Sequence, residues 1–88
     1  MAYKVIIKRS AEKELARLDH KIQKLVVAFL LELQGADNPR LVGDGSAMKG
    51  EDRRWRYRLG AYRIVCEIED KIITVVVVRI RHRSSAYT

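Results

Sequence analysis

At 88 residues the chain makes one domain and excludes two, and a domain of this size buries only about 60–65% of its unfolded surface, so a deep ligand cavity is excluded as well. Hydrophobic residues make up 48%, which excludes a disordered polar tail, while 18 Lys and Arg against 11 Asp and Glu give a net charge of +7 and point to an anionic partner. One cysteine and two histidines exclude a disulfide framework and leave no ligand set for a metal, so neither a metal nor a cofactor is expected.

Tyr3–Lys8 is short and β-branched and reads as a strand, followed by Ser10 as the N-cap of a first helix with Glu12 and Glu14 in its first turn. Leu15 and Leu18 give that helix an apolar stripe, and Asp19 is placed to cap a second. In the second helix Ile22, Leu25, Val26, Phe29, Leu30 and Leu33 fall on one face, ending at Gly35. Residues 35–50 are loop-rich, with room for one short edge strand near Leu41–Val42 or Ala47–Lys49. From Arg53 the period becomes two: Arg54, Arg56 and Arg58 alternate with Trp55, Tyr57 and Leu59, placing cations on one face and core-packing residues on the other.

Gly60-Ala61 then forms a two-residue hairpin turn into a strand over Tyr62–Glu69, with a turn at Asp70-Lys71 and a last strand over Ile72–Arg79. Apolar on both faces, the last strand belongs in the middle of the sheet, and Cys66 reads as a small core residue. The result is an α+β domain over residues 1–88: an N-terminal strand, a two-helix hairpin, then a mainly antiparallel sheet with helices on one face and the other face open. The longest apolar run, Ile72–Val78 with Thr74 included, is too short to span a bilayer, and residues 1–10 show no signal-peptide core; a cytoplasmic protein with no membrane partner is expected.

The positive charge is uneven, with a net +5 in residues 49–88 against +2 in residues 1–48. Eleven of the bases are arginine, whose planar fork grips phosphate at two points. A Gly60-Ala61 turn sets Leu59 against Tyr62 and then Arg58 against Arg63 on one sheet face, with Arg56 two residues further along. Opposed like charges destabilise a sheet, so the cluster reads as a phosphate seat; the other reading is a solvated face with splayed side chains. The segment Arg79-Ile80-Arg81-His82-Arg83-Ser84-Ser85-Ala86-Tyr87 is by itself a basic phosphate-grasping end. Together with the hairpin arginines it supplies the parts for cleaving an RNA backbone: positive charge for a phosphorane, a proton donor and an aromatic ring. His82 is either an acid or base in that cluster or a surface residue between two arginines.

The chain resembles the RelE-like toxins of the RelE/ParE superfamily from toxin–antitoxin pairs. The likeness runs through Tyr3–Lys8, Ala11, Leu15-x-x-Leu18, Met48-Lys49-Gly50 and Arg56-x-Arg58-Leu59, and is strongest in Gly60-Ala61-Tyr62-Arg63-Ile64-Val65 and Arg81-His82-Arg83-x-x-x-Tyr87. The resemblance implies a microbial-RNase-like fold and a metal-free endonuclease that enters the A site of a 70S-type ribosome and cuts mRNA through attack of a ribose 2′-hydroxyl.

By the same resemblance Arg63 stabilises the transition-state phosphate, Arg81 stands near the leaving oxygen, and Tyr87 stacks a base or handles the 2′-hydroxyl proton. Arg56 and Arg58 stand where relatives carry lysines; arginine keeps its proton, so both are assigned to phosphate binding. Lys49, Arg54, Arg79 and Arg83 complete the expected RNA-binding set. The chain ends one residue after Tyr87, where relatives continue into another helix, so its catalytic end is expected to be less anchored until RNA or a partner binds. The implied partner is a small acidic RelB-like antitoxin, with operator DNA bound only through it. Two other functions fit the fold: a ParE-like inhibitor of DNA gyrase without RNase activity, and a plain nucleic-acid-binding module.

Overall fold

The computed structural model describes residues 1–50 and 53–84. Strand β1 (Lys4–Ile7) leads into helices α1 (Arg9–Ala16) and α2 (His20–Leu33), followed by strands β2 (Asp44–Ala47), β3 (Arg54–Leu59), β4 (Tyr62–Glu69) and β5 (Thr74–His82). They form one sheet in the order β1-β5-β4-β3-β2, parallel only between β1 and β5. The expected α+β class holds, and the strongly apolar last strand is interior, between β1 and β4. No helix among the described residues is long and apolar enough to cross a membrane.

One sheet face carries the core. Val26, Phe29, Leu30 and Leu33 of α2 bury against Tyr57, Ile64, Cys66, Ile68, Val75, Val77 and Ile80, and Phe29 meets the Tyr57 ring edge-on at 4.9 Å between centroids. Tyr57 is fully buried and its hydroxyl donates to the Pro39 carbonyl, so the phenol enters the core without an orphaned polar atom. Burial pushes the Cys66 thiol up to about 12, which leaves it unreactive at neutral pH.

Several local expectations are corrected. Helix α1 begins two residues early, with Lys8 in the N-cap position, so Ser10 is no cap; its hydroxyl donates instead to the Val78 carbonyl at 2.9 Å. Asp19 occupies the N-cap position of α2, although its side chain makes no capping bond. The edge strand forms at Asp44–Ala47, between the two segments expected, because Pro39–Leu41 is taken up by a 3-10 turn. A second 3-10 turn, Asp70–Ile72, with Ile73 in the left-handed region at φ 49°, delays the last strand to Thr74. That strand then continues to His82, so Arg79, Arg81 and His82 belong to the sheet and not to a trailing tail.

Gly45 is required by a close approach. It pairs with Tyr57 across β2 and β3, and a Cβ there would overlap the indole nitrogen of Trp55. That nitrogen is buried without a hydrogen-bond partner, and Arg40 stands 5.9 Å from the ring centre on the indole face. Gly45→Ala is expected to cost about 1–3 kcal/mol by overpacking, measured as a lower urea midpoint at unchanged slope.

Arg40 also makes a two-point bond to Asp70, at 3.1 and 2.9 Å, and Tyr3 donates to the same carboxylate at 2.6 Å. These hydrogen bonds, that of Arg40 foremost, hold the Asp70 carboxyl below its ordinary 3.8, so its contribution is complete above that pH and disappears as pH falls through the folded value. The pair is solvent-exposed, which limits its worth to about 1 kcal/mol or less. Wild type should therefore exceed Asp70→Asn in urea midpoint at about pH 6, and the gap should close by about pH 2.

Candidate functional site

The face of the sheet away from α2 is cationic through the period-two alternation of β3 and β4, joined by arginines of β5. The hairpin at Gly60, which takes φ 60°, sets Arg58 opposite Arg63, as the two-residue turn requires. Across the next ladder Arg63 lies opposite Arg81. Three arginines from three adjacent strands thus stand in one row. In the row behind it, Arg56, Val65 and Arg79 are in register, followed by Arg54, Glu67 and Val76.

Strict alternation would not place Arg79 and Arg81 on this face. Val75 and Val77 point into the core, and a regular strand would send residues 79 and 81 in after them. A β-bulge intervenes: Val65 pairs with Arg79 and Cys66 with Val77, leaving Val78 as the extra residue. The parity reverses, Ile80 enters the core at 2% exposure, and both arginines turn out.

Helix α1 secures this bulge where β1 has ended. Ser10 binds the Val78 carbonyl, and four residues on, Glu14 accepts the Ile80 amide at 2.8 Å. The other Glu14 oxygen accepts from Arg81 Nε at 3.2 Å and lies 3.5 Å from Arg79 Nη1. One carboxylate therefore satisfies the strand edge and orients the guanidinium that ends the arginine row. Sequence reasoning placed Ser10 and Glu14 only in the helix start; their i, i+4 spacing was visible, but the strand edge they serve was not.

At the other end of the face charge is balanced: Arg54 pairs with Glu67 at 3.3 Å and Arg53 with Glu69 at 3.1 Å. Among the described residues no carboxylate lies within ion-pair distance of Arg56, Arg58 or Arg83. The positive potential is therefore concentrated toward the Gly60 turn. A shallow concavity of about 400 Å³ is lined by Arg54, Arg56, Arg63, Arg79 and Arg81, with Met48 and Val65 as its apolar patch. A second, of about 380 Å³, lies at the hairpin end between Arg58, Tyr62, Arg63 and Arg83. Both are shallow enough for an extended anionic strand and suit no enclosed small molecule.

The structure does not bring every candidate here. His82 pairs with Tyr62, on the opposite parity from Arg81; its ring meets the Tyr62 ring edge-on at 5.2 Å, and its Nδ1 lies 2.7 Å from the Ser84 hydroxyl. Lys49 is exposed in the turn after β2 and lines neither concavity. Tyr87 lies outside the described residues.

Comparison with known proteins agrees with the fold. A family model for the ParE toxin of the type II toxin–antitoxin system parDE matches residues 5–87. The RelB–RelE antitoxin–toxin complex from Methanococcus jannaschii aligns at TM-score 0.81 and 27% identity, covering 93% of this chain and 94% of that one. The toxin–antitoxin complex RelBE2 from Mycobacterium tuberculosis aligns at TM-score 0.80 and 30% identity, covering 96% and 94%. An archaeal RelE–RelB complex from Pyrococcus horikoshii aligns at 0.78 and 25%, covering 94% and 97%. No curated protein sequence matches the chain.

Proposed function

The chain belongs to the RelE/ParE superfamily of type II toxin–antitoxin toxins, and from that premise we propose that it is an endoribonuclease that cuts mRNA in the ribosomal A site and so arrests translation. The observation that carries this reading is the row of Arg58, Arg63 and Arg81 across three neighbouring strands. Three guanidiniums on one face match the charge of a phosphorane, whose non-bridging oxygens gain negative charge as the 2′-hydroxyl attacks.

In this mechanism the 2′-oxygen forms a bond to phosphorus while the bond to the 5′-oxygen breaks. The products are a 2′,3′-cyclic phosphate and a 5′-hydroxyl. Arg63, central in the row, takes the non-bridging oxygens. Arg81, held through Nε by Glu14, presents its outer nitrogens toward the departing oxygen. Arg56 and Arg58 bind flanking phosphates, and Arg54, Arg79 and Arg83 extend the track along the strand. No arginine gives up its proton near neutral pH, so proton transfer falls to other groups: the resemblance gives Tyr87 either the 2′-hydroxyl proton or the stacking of a base, and the departing 5′-oxygen takes its proton from solvent. His82, facing Tyr62 and Ser84, stands behind the row and is a less suitable acid or base.

The three solved complexes pair toxins with RelB-type antitoxins, which supports an acidic RelB-like partner for this chain; in the same proposal operator DNA is bound only through that partner. The family model that matches is named for ParE toxins, and a second reading follows from it: inhibition of DNA gyrase without RNA cleavage. Adding the purified protein to a cell-free translation reaction, and mapping mRNA ends with and without ribosomes, separates the two. Cuts within codons that appear only on ribosomes support the first reading. Intact message, with gyrase supercoiling blocked in a parallel assay, supports the second.

A further inference from the structure

The mechanism leaves His82 without a task, although its imidazole is engaged where β5 ends. The ring meets that of Tyr62 edge-on, and its Nδ1 lies 3.2 Å from the Ser84 amide nitrogen and 2.7 Å from the Ser84 hydroxyl. An amide only donates, so Nδ1 carries the lone pair, the ring N–H is on Nε2, and the hydroxyl donates to the same Nδ1. Between these two partners stands Arg83. Its own amide donates to the Ala61 carbonyl at 2.7 Å, one step beyond Tyr62 and His82, the last pair of the β4–β5 ladder. The Arg83 backbone is therefore pinned on both sides, to the hairpin turn by one amide and to the His82 ring by the next.

That pinning matters because no carboxylate aims the guanidinium. Arg81 is oriented by Glu14, whereas among the described residues no carboxylate lies within ion-pair distance of Arg83. Arg83 is exposed and lines the concavity at the hairpin end with Arg58 and Arg63. A long side chain at a fraying strand end spreads over many orientations, and a fixed backbone confines its reach to one place. We propose that His82 is a positioning residue: its Nδ1 ties off the end of β5 so that Arg83 is presented beside Arg58 and Arg63, where it takes a phosphate of single-stranded RNA. The inference rests on RNA being the ligand of the arginine face. An acid or base needs a ring nitrogen aimed at the reacting atoms, and here Nδ1 is committed to Ser84 while the ring stands on the Tyr62 side of the strand.

The test is binding of a fluorescent single-stranded RNA oligonucleotide by the full chain without ribosomes, read by anisotropy across a salt series. His82→Phe keeps a ring against Tyr62 and removes the acceptor. His82→Asn loses the ring and keeps an acceptor, because Oδ1 stands one bond from Cγ as Nδ1 does. His82→Phe should make the slope of log K against log salt shallower by about 0.7, the share of one phosphate contact on a single strand, and weaken binding about fivefold at about 0.1 M salt. His82→Asn should stay within about twofold of wild type. Arg83→Ala should weaken binding as much as His82→Phe does, and the double variant should lose less than about 1.5-fold more, because the ring acts through that side chain. His82→Leu, likewise without an acceptor, takes the place of His82→Phe if that variant misfolds. Wild-type affinity without the acceptor, an equal loss in His82→Asn, additive losses in the double variant, or no oligonucleotide binding by wild type overturns the proposal. Because binding is read without cleavage, the expected pattern beside intact ribosomal mRNA would end the nuclease reading and leave this one standing.

Discussion

Arg63→Ala and Arg81→Ala are each expected to lower ribosome-dependent mRNA cleavage by about 10²–10³-fold, the usual cost of one preorganised donor to a developing oxyanion, about 2.7–4 kcal/mol. Both side chains stand on the open face of the sheet, and neither belongs to the core cluster. The variants should therefore keep the wild-type far-UV spectrum and urea midpoint while losing growth inhibition. Lysine at either position should restore only part of the activity, because an ammonium supplies charge without the two-point fork. Since the two arginines share one ladder pair, their effects should be less than additive: the double variant should lie well short of the product of the single losses. Full toxicity of both folded variants would remove them from the reaction.

Glu14 should have the next largest effect although it touches no substrate. Its carboxylate holds Ile80 N and Arg81 Nε together, at the one place where β5 departs from regular pairing. Glu14→Ala leaves the part-buried Ile80 amide without its acceptor and lets the Arg81 guanidinium swing, and a displacement of about 1 Å in a charge-stabilising group costs on the order of 10²-fold in rate. Glu14→Gln keeps an acceptor for the amide but removes the charge that orients Arg79 and Arg81. Turnover should fall about tenfold or more, while RNA binding stays equal or tightens because the net positive charge rises. Opposite movement of turnover and affinity marks a positioning role, since a merely structural defect would weaken both. If Glu14→Gln turns over at the wild-type rate, Arg81 does not depend on it.

The pairing of Arg58 with Arg63 was legible because it is local. A two-residue turn at Gly60-Ala61 leaves one register, and alternation then carries Arg56 and Arg54 to the same face. The α2 core stripe was legible from its 3.6-residue period, which needs no knowledge of what it packs against, except at Leu25, which the period put on the buried face and the structure leaves 54% exposed. The start of α1 was misread at Ser10 because a serine before an apolar stripe looks the same whether its hydroxyl caps a helix or reaches a carbonyl 68 residues away. His82 was grouped with its neighbours for the same reason: adjacency in the chain does not reveal that the last strand runs through it and turns its ring toward Tyr62.

Composition, period and turn chemistry by themselves determined a small basic α+β protein with arginines on one face of a β-hairpin. Only the tertiary structure decided that Arg79 and Arg81 join them. That outcome depends on one unpaired residue, Val78, and on Ser10 and Glu14 from a distant helix that satisfy the strand edge beside it. The physical reason is the two-residue period of a strand: one inserted residue reverses every later side chain, and where it is inserted is set by partners far away in the chain.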